Sequence, residues 1–211
     1  MKKFELTNEF ITNMFGTKLF RIRALVEFGD VEAGELGGYV EKESNLGHDD
    51  NAWVYDNAWV YGNARVYGDA QVSGDALVYG NARVYGNAWV YGNALVCGNA
   101  LVYDNAWVYG NARVCGDALV CGNARVCSDE DYAYAHGFGS VNRTTTFFRL
   151  KDGGVGVRCG CFYGTLAQFR DKIRETHGET KKAQEYLMLA DLMELRFEED
   201  ENEVGNRKYV E

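Results

Sequence analysis

A chain of 211 residues, 46% hydrophobic, has room for one domain of ordinary size or two small ones, each with a core. Its 22 basic and 31 acidic residues give a net charge of −9, which argues against a nucleic-acid duplex as partner and favours a basic protein or a positively charged groove. The start MKKFELTNEF has two lysines with no apolar run behind them, so neither a secretory leader nor a membrane span is expected, the cytoplasm is the expected compartment, and the six cysteines are expected as reduced thiols.

Residues 1–48 contain LFRIRALVEFG and the Gly-rich GELGGYVEKESNLG. These predict short strands and turns that cap the adjoining segment, because an open sheet end leaves pairing groups exposed. In residues 49–128, Ala recurs every six positions from Ala52 to Ala124, and Val does so from Val54 to Val126: thirteen hexads without an insertion. Ala-x-Val-Tyr alternates with period two and predicts a short strand, Ala and Val inward, the intervening residue and the Tyr slot outward. Gly-Asn or Gly-Asp then marks a turn. Asp56 and Asp104 replace the Gly, whereas the next position is always Asn or Asp, so the second residue of the pair is expected to carry the positive φ. Apolar residues two apart in a repeat of six do not make a helix stripe. Three hexads per triangular coil do satisfy the pattern, giving about 4 coils of parallel strands, roughly 20 Å tall at the usual strand spacing.

This pattern, from residue 51 to 127, resembles the hexapeptide-repeat superfamily, with an aliphatic residue preceded two positions earlier by a small one. The resemblance implies a mainly β fold, a left-handed parallel β-helix. The hand comes from the resemblance, since general crossover rules favour the other one.

The repeat ends where Glu130 and Tyr132 occupy the Ala and Val phases. Within 129–211, TTTFFRL and VGVRCGCF flank KDGG and predict a hairpin. Thr165 opens a helix with capping-box spacing in T-L-A-Q and a stripe of Leu166, Phe169 and Ile173, and His177-Gly178 ends it. A second helix from about Lys181 to Phe197 carries Tyr186, Leu187, Ala190, Leu192 and Met193, a stripe too broad to stay bare in water. The acidic tail from Glu198 is expected to be loose. Together GELGGYVEKESNLG, the hexads, and KDGG leading into CFYGTL and two helices resemble a family of phage and prophage proteins. That likeness implies a viral accessory role in the host cytoplasm.

Many hexapeptide-repeat proteins are acyltransferases with a His base and a loop projecting from the prism. This chain has no His between Asp49 and Ala135 and no interrupted hexad. His48 and His136 flank the repeat and read as capping or surface histidines, each needing a neighbouring subunit to form a site. The three-histidine metal cluster of the carbonic-anhydrase branch is absent from the sequence, so no catalytic residue, metal or cofactor is expected. Cys159-Gly160-Cys161 reads as small buried filler with free thiols rather than a ligand pair. Cys97 and Cys115, 18 apart, are expected on adjacent coils, where a bridge is sterically permitted, and are read as thiols.

Sorting the outward residues by an 18-residue coil gives three faces. The first carries Trp53, Gln71, Trp89, Trp107 and Arg125 beside Tyr55, Ser73, Tyr91, Tyr109 and Cys127, a nearly continuous aromatic sheet expected to be covered by something, the plainer alternative being that stacking between coils merely stabilises the prism. Trp53, Tyr55, Trp89, Tyr91, Trp107, Tyr109 and Arg125 are therefore the candidate binding or oligomer face. Trp59 and Arg113 on the second face, and Arg65 and Arg83 on the third, are secondary candidates. Candidate covers are a homo-oligomer, with a trimer favoured, the C-terminal helices folded back, or a host protein or nucleotide-like ligand. The expected function is a non-enzymatic binding protein that occupies a host component, a defence protein or its signalling nucleotide. The alternatives are an acyltransferase with an intersubunit site and a structural virion or scaffold part.

Overall fold

The computed structural model describes residues 2–139 and 142–198. Three strands come first, β1 (Phe4–Thr12), β2 (Lys18–Ala24) and β3 (Leu36–Val40). Thirteen two-residue strands come next, one per hexad, from β4 (Trp53–Val54) to β16 (Arg125–Val126). The chain closes with β17 (Tyr132–Phe138), β18 (Arg143–Arg149), β19 (Val155–Cys159), β20 (Phe162–Thr165) and helices α1 (Leu166–His177) and α2 (Lys181–Phe197). The acidic tail beyond residue 198 lies outside the described residues.

The hexad strands fall into three parallel sheets with steps of three in chain order, so three hexads make one coil. Register is 18 residues: Trp89 pairs with Gln71 below and Trp107 above, and Leu95 with Leu77 and Arg113. Every repeated Ala and Val from Ala52 to Val126 is fully buried. The small and the β-branched side chain thus fill the narrow interior that period-two alternation assigns them. Backbone bonds continue through the corners, as in Trp89 N–H to Ala106 O (2.9 Å), Tyr91 N–H to Val108 O (3.0 Å) and Asn93 N–H to Gly110 O (2.9 Å).

The turns correct the expectation about positive φ. It is the first residue of each pair that adopts it, Gly68 at 71°, Gly86 at 68°, and the two replacements Asp56 at 54° and Asp104 at 59°. Glycine at the first central position is the signature of a II′ turn, and Asp tolerates that geometry. The Asn or Asp at the second position is kept for another reason. Its side chain bonds its counterpart one coil on, as Asn63 Nδ2 to Asn81 Oδ1 (3.2 Å), Asn81 to Asn99 (3.0 Å) and Asn99 to Asp117 (2.9 Å), so amide ladders run up the corners.

The solenoid begins earlier than the periodic letters show. β3 pairs in parallel with β5 (Trp59–Val60), Tyr39 opposite Trp59 and Val40 opposite Val60, and Leu46 bridges Val66. Val40 to Leu46 is one six-residue step, but Leu46 to Val54 takes eight, which hides the phase in the sequence. Gly38 stands where a Cβ would lie 2.6 Å from Ala58 O, so only glycine lets β3 approach the first coil this closely. β1 and β2 extend this sheet antiparallel and cap the coil end. Lys3 Nζ donates to Ala52 O (2.8 Å) and Asp50 O (3.2 Å), and the buried Asn45 amide donates to Ala64 O (2.8 Å) and Gly62 O (3.2 Å), satisfying carbonyls the cap would otherwise strand.

At the other end Asp131 stops the repeat. Nearly buried, its Oδ2 accepts from Cys127 N–H (2.9 Å) and Ser128 N–H (2.9 Å), and Arg149 Nε approaches Oδ1 at 3.7 Å. The antiparallel sheet β17-β18-β19-β20 then covers the top, with Thr146 Oγ1 accepting from Leu119 N–H (2.9 Å) and Lys151 N–H bonding Asn123 O (3.1 Å). α1 starts as its sequence predicts, with the Thr165 and Gln168 capping box. Phe169, Ile173, Ala183, Tyr186, Ala190 and Met193 of the helices pack on Phe147 and Val157 of this sheet. The helices therefore do not fold back over the aromatic face, because the appended sheet offers them a core of its own.

Two cysteine expectations are corrected. Cys97 and Cys115 form a disulfide, as direct register on adjacent coils brings their Cα atoms to 4.6 Å, within bridging range. Cys159-Gly160-Cys161 has the expected free thiols but is filler only in part: Cys159 ends β19 half-buried against the helix core, whereas Gly160, with φ 59° in the tight β19–β20 turn, leaves Cys161 exposed.

Candidate functional site

On the first face, β7 (Gln71–Val72), β10 (Trp89–Val90), β13 (Trp107–Val108) and β16 stack above β4. In-register pairing aligns the indoles of Trp89 and Trp107, centroids 5.2 Å apart at 7°, and the phenols of Tyr91 and Tyr109, 5.1 Å apart at 9°. Arg125 completes the column with its guanidinium 4.0 Å over the Trp107 ring, its Nη1 donating to Ala124 O (2.8 Å) and Asn105 O (3.0 Å). Aromatic pairs and a cation over a ring each contribute about 0.5–1.5 kcal/mol, so the ladder stiffens itself. Burial lowers the Arg125 pKa from its usual value, while the neighbouring tyrosines oppose this. Burial also raises Tyr91, and raises Tyr109 to about 12, so both phenols are neutral donors at physiological pH. Trp89 remains 40% exposed.

The lower part of this face departs from the expected continuous sheet. Trp53 is fully buried, edge-on to Phe28 (5.3 Å) and Phe4 (6.2 Å) of the N-terminal cap, and Tyr55 packs against the same core. Trp53 is thus taken off the free surface and Tyr55 is half-buried, because the cap needs an apolar end to close on. Between this end and Trp89, Gln71 and Ser73 take slots filled by rings elsewhere. The shortfall leaves a recess of about 270 Å³ lined by Gln71, Ser73, Trp89 and Tyr91. Its signal was present in the sequence as two polar, ring-free letters in aromatic columns. The structure thus brings together Trp89, Tyr91, Trp107, Tyr109 and Arg125, and separates Trp53 and Tyr55 from them.

The secondary candidates divide. Trp59 and Arg113 lie at opposite ends of the second face with Leu77 and Leu95 between them. Arg113 is engaged through its backbone, its N–H to Asp129 Oδ1 (2.7 Å) and its carbonyl to the Tyr132 hydroxyl (2.7 Å). Arg65 and Arg83 are direct neighbours on the third face, both exposed, beside a stack of Tyr67, Tyr85 and Tyr103 at 4.9 and 5.0 Å. Neither has an ion pair among the described residues, an unfavourable placement for two like charges unless an anion joins them.

Both flanking histidines have partners within the chain. His48 stacks on Phe4 at 4.5 Å and its Nδ1 accepts the Lys3 N–H (3.2 Å), and His136 Nδ1 lies 3.0 Å from Thr144 Oγ1. Among the described residues there is no group of three or more His, Cys, Asp or Glu able to hold a metal. No described helix is long and apolar enough to cross a membrane.

Residues 58–74, 70–82, 76–92, 94–110 and 106–122 match the YdcK Beta solenoid repeat family, all within the prism. The chain is a β-solenoid repeat protein. No curated protein matches it. The family match bears on the solenoid's coils, and both end structures lie outside it.

Proposed function

We propose that this solenoid is a non-enzymatic binding protein whose first face, centred on Trp89, Tyr91, Trp107, Tyr109 and Arg125, docks a second molecule. The observation that carries this reading is the rigid, partly exposed ladder of indole, phenol and guanidinium groups, the side chains most used at interface centres. Self-association, as a trimer by preference, is one use of this face, and capture of a host defence protein or its signalling nucleotide is the other. Stacking rings beside guanidinium groups suits a nucleotide base and phosphate, with Arg65 and Arg83 as a second anion-binding pair.

The same reading takes the prism as a left-handed member of the hexapeptide-repeat superfamily and the chain as a phage or prophage accessory protein of the host cytoplasm. The small-x-aliphatic hexads support the first, and GELGGYVEKESNLG with KDGG and CFYGTL supports the second. The engaged ring of His48 and the uninterrupted hexads speak against an acyltransferase site. Two experiments separate the readings. Calorimetry with acetyl-CoA is expected to give no heat, and tagged protein from phage-infected cells is expected to retain a host protein or nucleotide that Trp89→Ala/Trp107→Ala loses. Acetyl-CoA turnover abolished by His136→Ala overturns the proposal.

A further inference from the structure

Away from the prism, the β19–β20 turn, the start of β18 and the inner side of α1 enclose a half-open cavity of about 200 Å³. Its apolar wall is a set of rings held by one another. Phe169 meets Phe162 at 5.4 Å and Tyr186 at 5.8 Å, and His177 lies over Tyr186 at 6.0 Å and 24°. Its charged groups are of one sign. Arg143 and Lys172 line it, beside the neutral polar groups of Thr176 and Tyr186 and the imidazole of His177, and no carboxylate does, in a chain with nine more acidic than basic residues. Lys172 is held by Glu175 at 2.8 Å, outside the lining, whereas Arg143 has no ion pair among the described residues. The exposed Arg143 guanidinium lies directly over the β19–β20 turn, against Gly160, whose φ of 59° is the turn's own reason for a glycine.

We propose that this cavity is a binding site for a small aryl anion, a single ring carrying a carboxylate or phosphate. The volume holds about seven waters, the room of one ring with a head group and less than a drug-sized ligand needs. Phe162, Phe169 and Tyr186 offer ring faces and edges to an apolar body. Arg143 offers a planar fork to two oxygens of the head group. An aromatic cage by itself also attracts a cation, but the two cations at the wall, Arg143 and Lys172, disfavour one. The site shares no residue with the aromatic face of the prism, so its fate is independent of the function proposed above.

The test is calorimetric titration of the full chain with benzoate, phenyl phosphate, benzyl alcohol and benzyltrimethylammonium, each also against Arg143→Gln and His177→Gln, with near-ultraviolet circular dichroism to confirm folding. One or both anions are expected to bind one per chain, to weaken about tenfold or more on Arg143→Gln, and to exceed benzyl alcohol by a similar factor. Benzoate alone identifies a carboxylate site and phenyl phosphate alone a phosphate site. The proposal is overturned if neither anion binds, if the alcohol or the ammonium probe binds as well as the anions, or if folded Arg143→Gln and His177→Gln both retain full affinity.

Discussion

Single residues show how closely backbone and side chain share the work in these coils. At Gly86, φ is 68° and a Cβ would stand 2.9 Å from Asp104 N, so Gly86→Ala meets both a left-handed backbone penalty and a collision with the next coil. A loss of about 2 kcal/mol or more is expected in urea unfolding. The converse change, Asp104→Gly, removes a side chain from the left-handed region and is expected to stabilise by a few tenths to about 1 kcal/mol. Equal or opposite effects would mean that the first turn position is not strained. Lys3 gives a pH signature. Burial lowers its pKa from 10.5 to about 8, against the pull of Asp50, Asp49 and Asp69. Between those values the unfolded chain binds more protons than the folded one, so stability rises with pH from about 8 towards 10, and below 8 the cost is constant. Because the tyrosines raised by burial act in the opposite sense near pH 10 and alike in both proteins, the wild-type urea midpoint is expected to gain on that of Lys3→Met across that window; parallel curves would refute the assignment.

Elements were legible in the sequence to different degrees, for identifiable reasons. The thirteen hexad strands were readable because one letter pattern sets the core, the outward column and the corner at once. The start of α1 was readable because Thr165 and Gln168 carry their own capping chemistry. The first rung was not, since the eight-residue step from Leu46 to Val54 breaks the phase that Val40 and Leu46 already obey. Turn geometry was not legible because an invariant Asn or Asp has two possible causes, a left-handed backbone or a side-chain ladder, and only coordinates reveal Asn63 bonding Asn81. The Cys97–Cys115 bridge was hidden because an expected cytoplasmic compartment argues for thiols where geometry permits a bond. It ties β11 (Leu95–Val96) to β14 (Arg113–Val114) across one coil of 18 residues. Restricting a loop of that length in the unfolded chain stabilises by about 3 kcal/mol, so reduction, or Cys97→Ser/Cys115→Ser, is expected to lower the unfolding midpoint by a corresponding amount. An unchanged midpoint in dithiothreitol would show that the bridge adds nothing.

For the whole molecule, the solenoid needs both of its ends closed, and the chain outside the hexads supplies the closures. The N-terminal sheet takes Trp53 out of the solvent, and the C-terminal sheet closes the top coil while using the helices for a second core. This explains why the candidate site was only partly visible in the sequence. An 18-residue column correctly predicts which rings stack, but it has no information about which rungs an end structure covers. What remains open is the upper first face, five side chains in register beside a recess. Sedimentation velocity of the wild type and of Trp89→Ala/Trp107→Ala tests most directly whether that face is a docking surface. The account predicts that the wild type sediments as a closed oligomer, or as a monomer that gains mass with its captured partner, and that the double variant is a folded monomer in both conditions. A wild type and a variant that sediment identically, alone and with every partner offered, would contradict it.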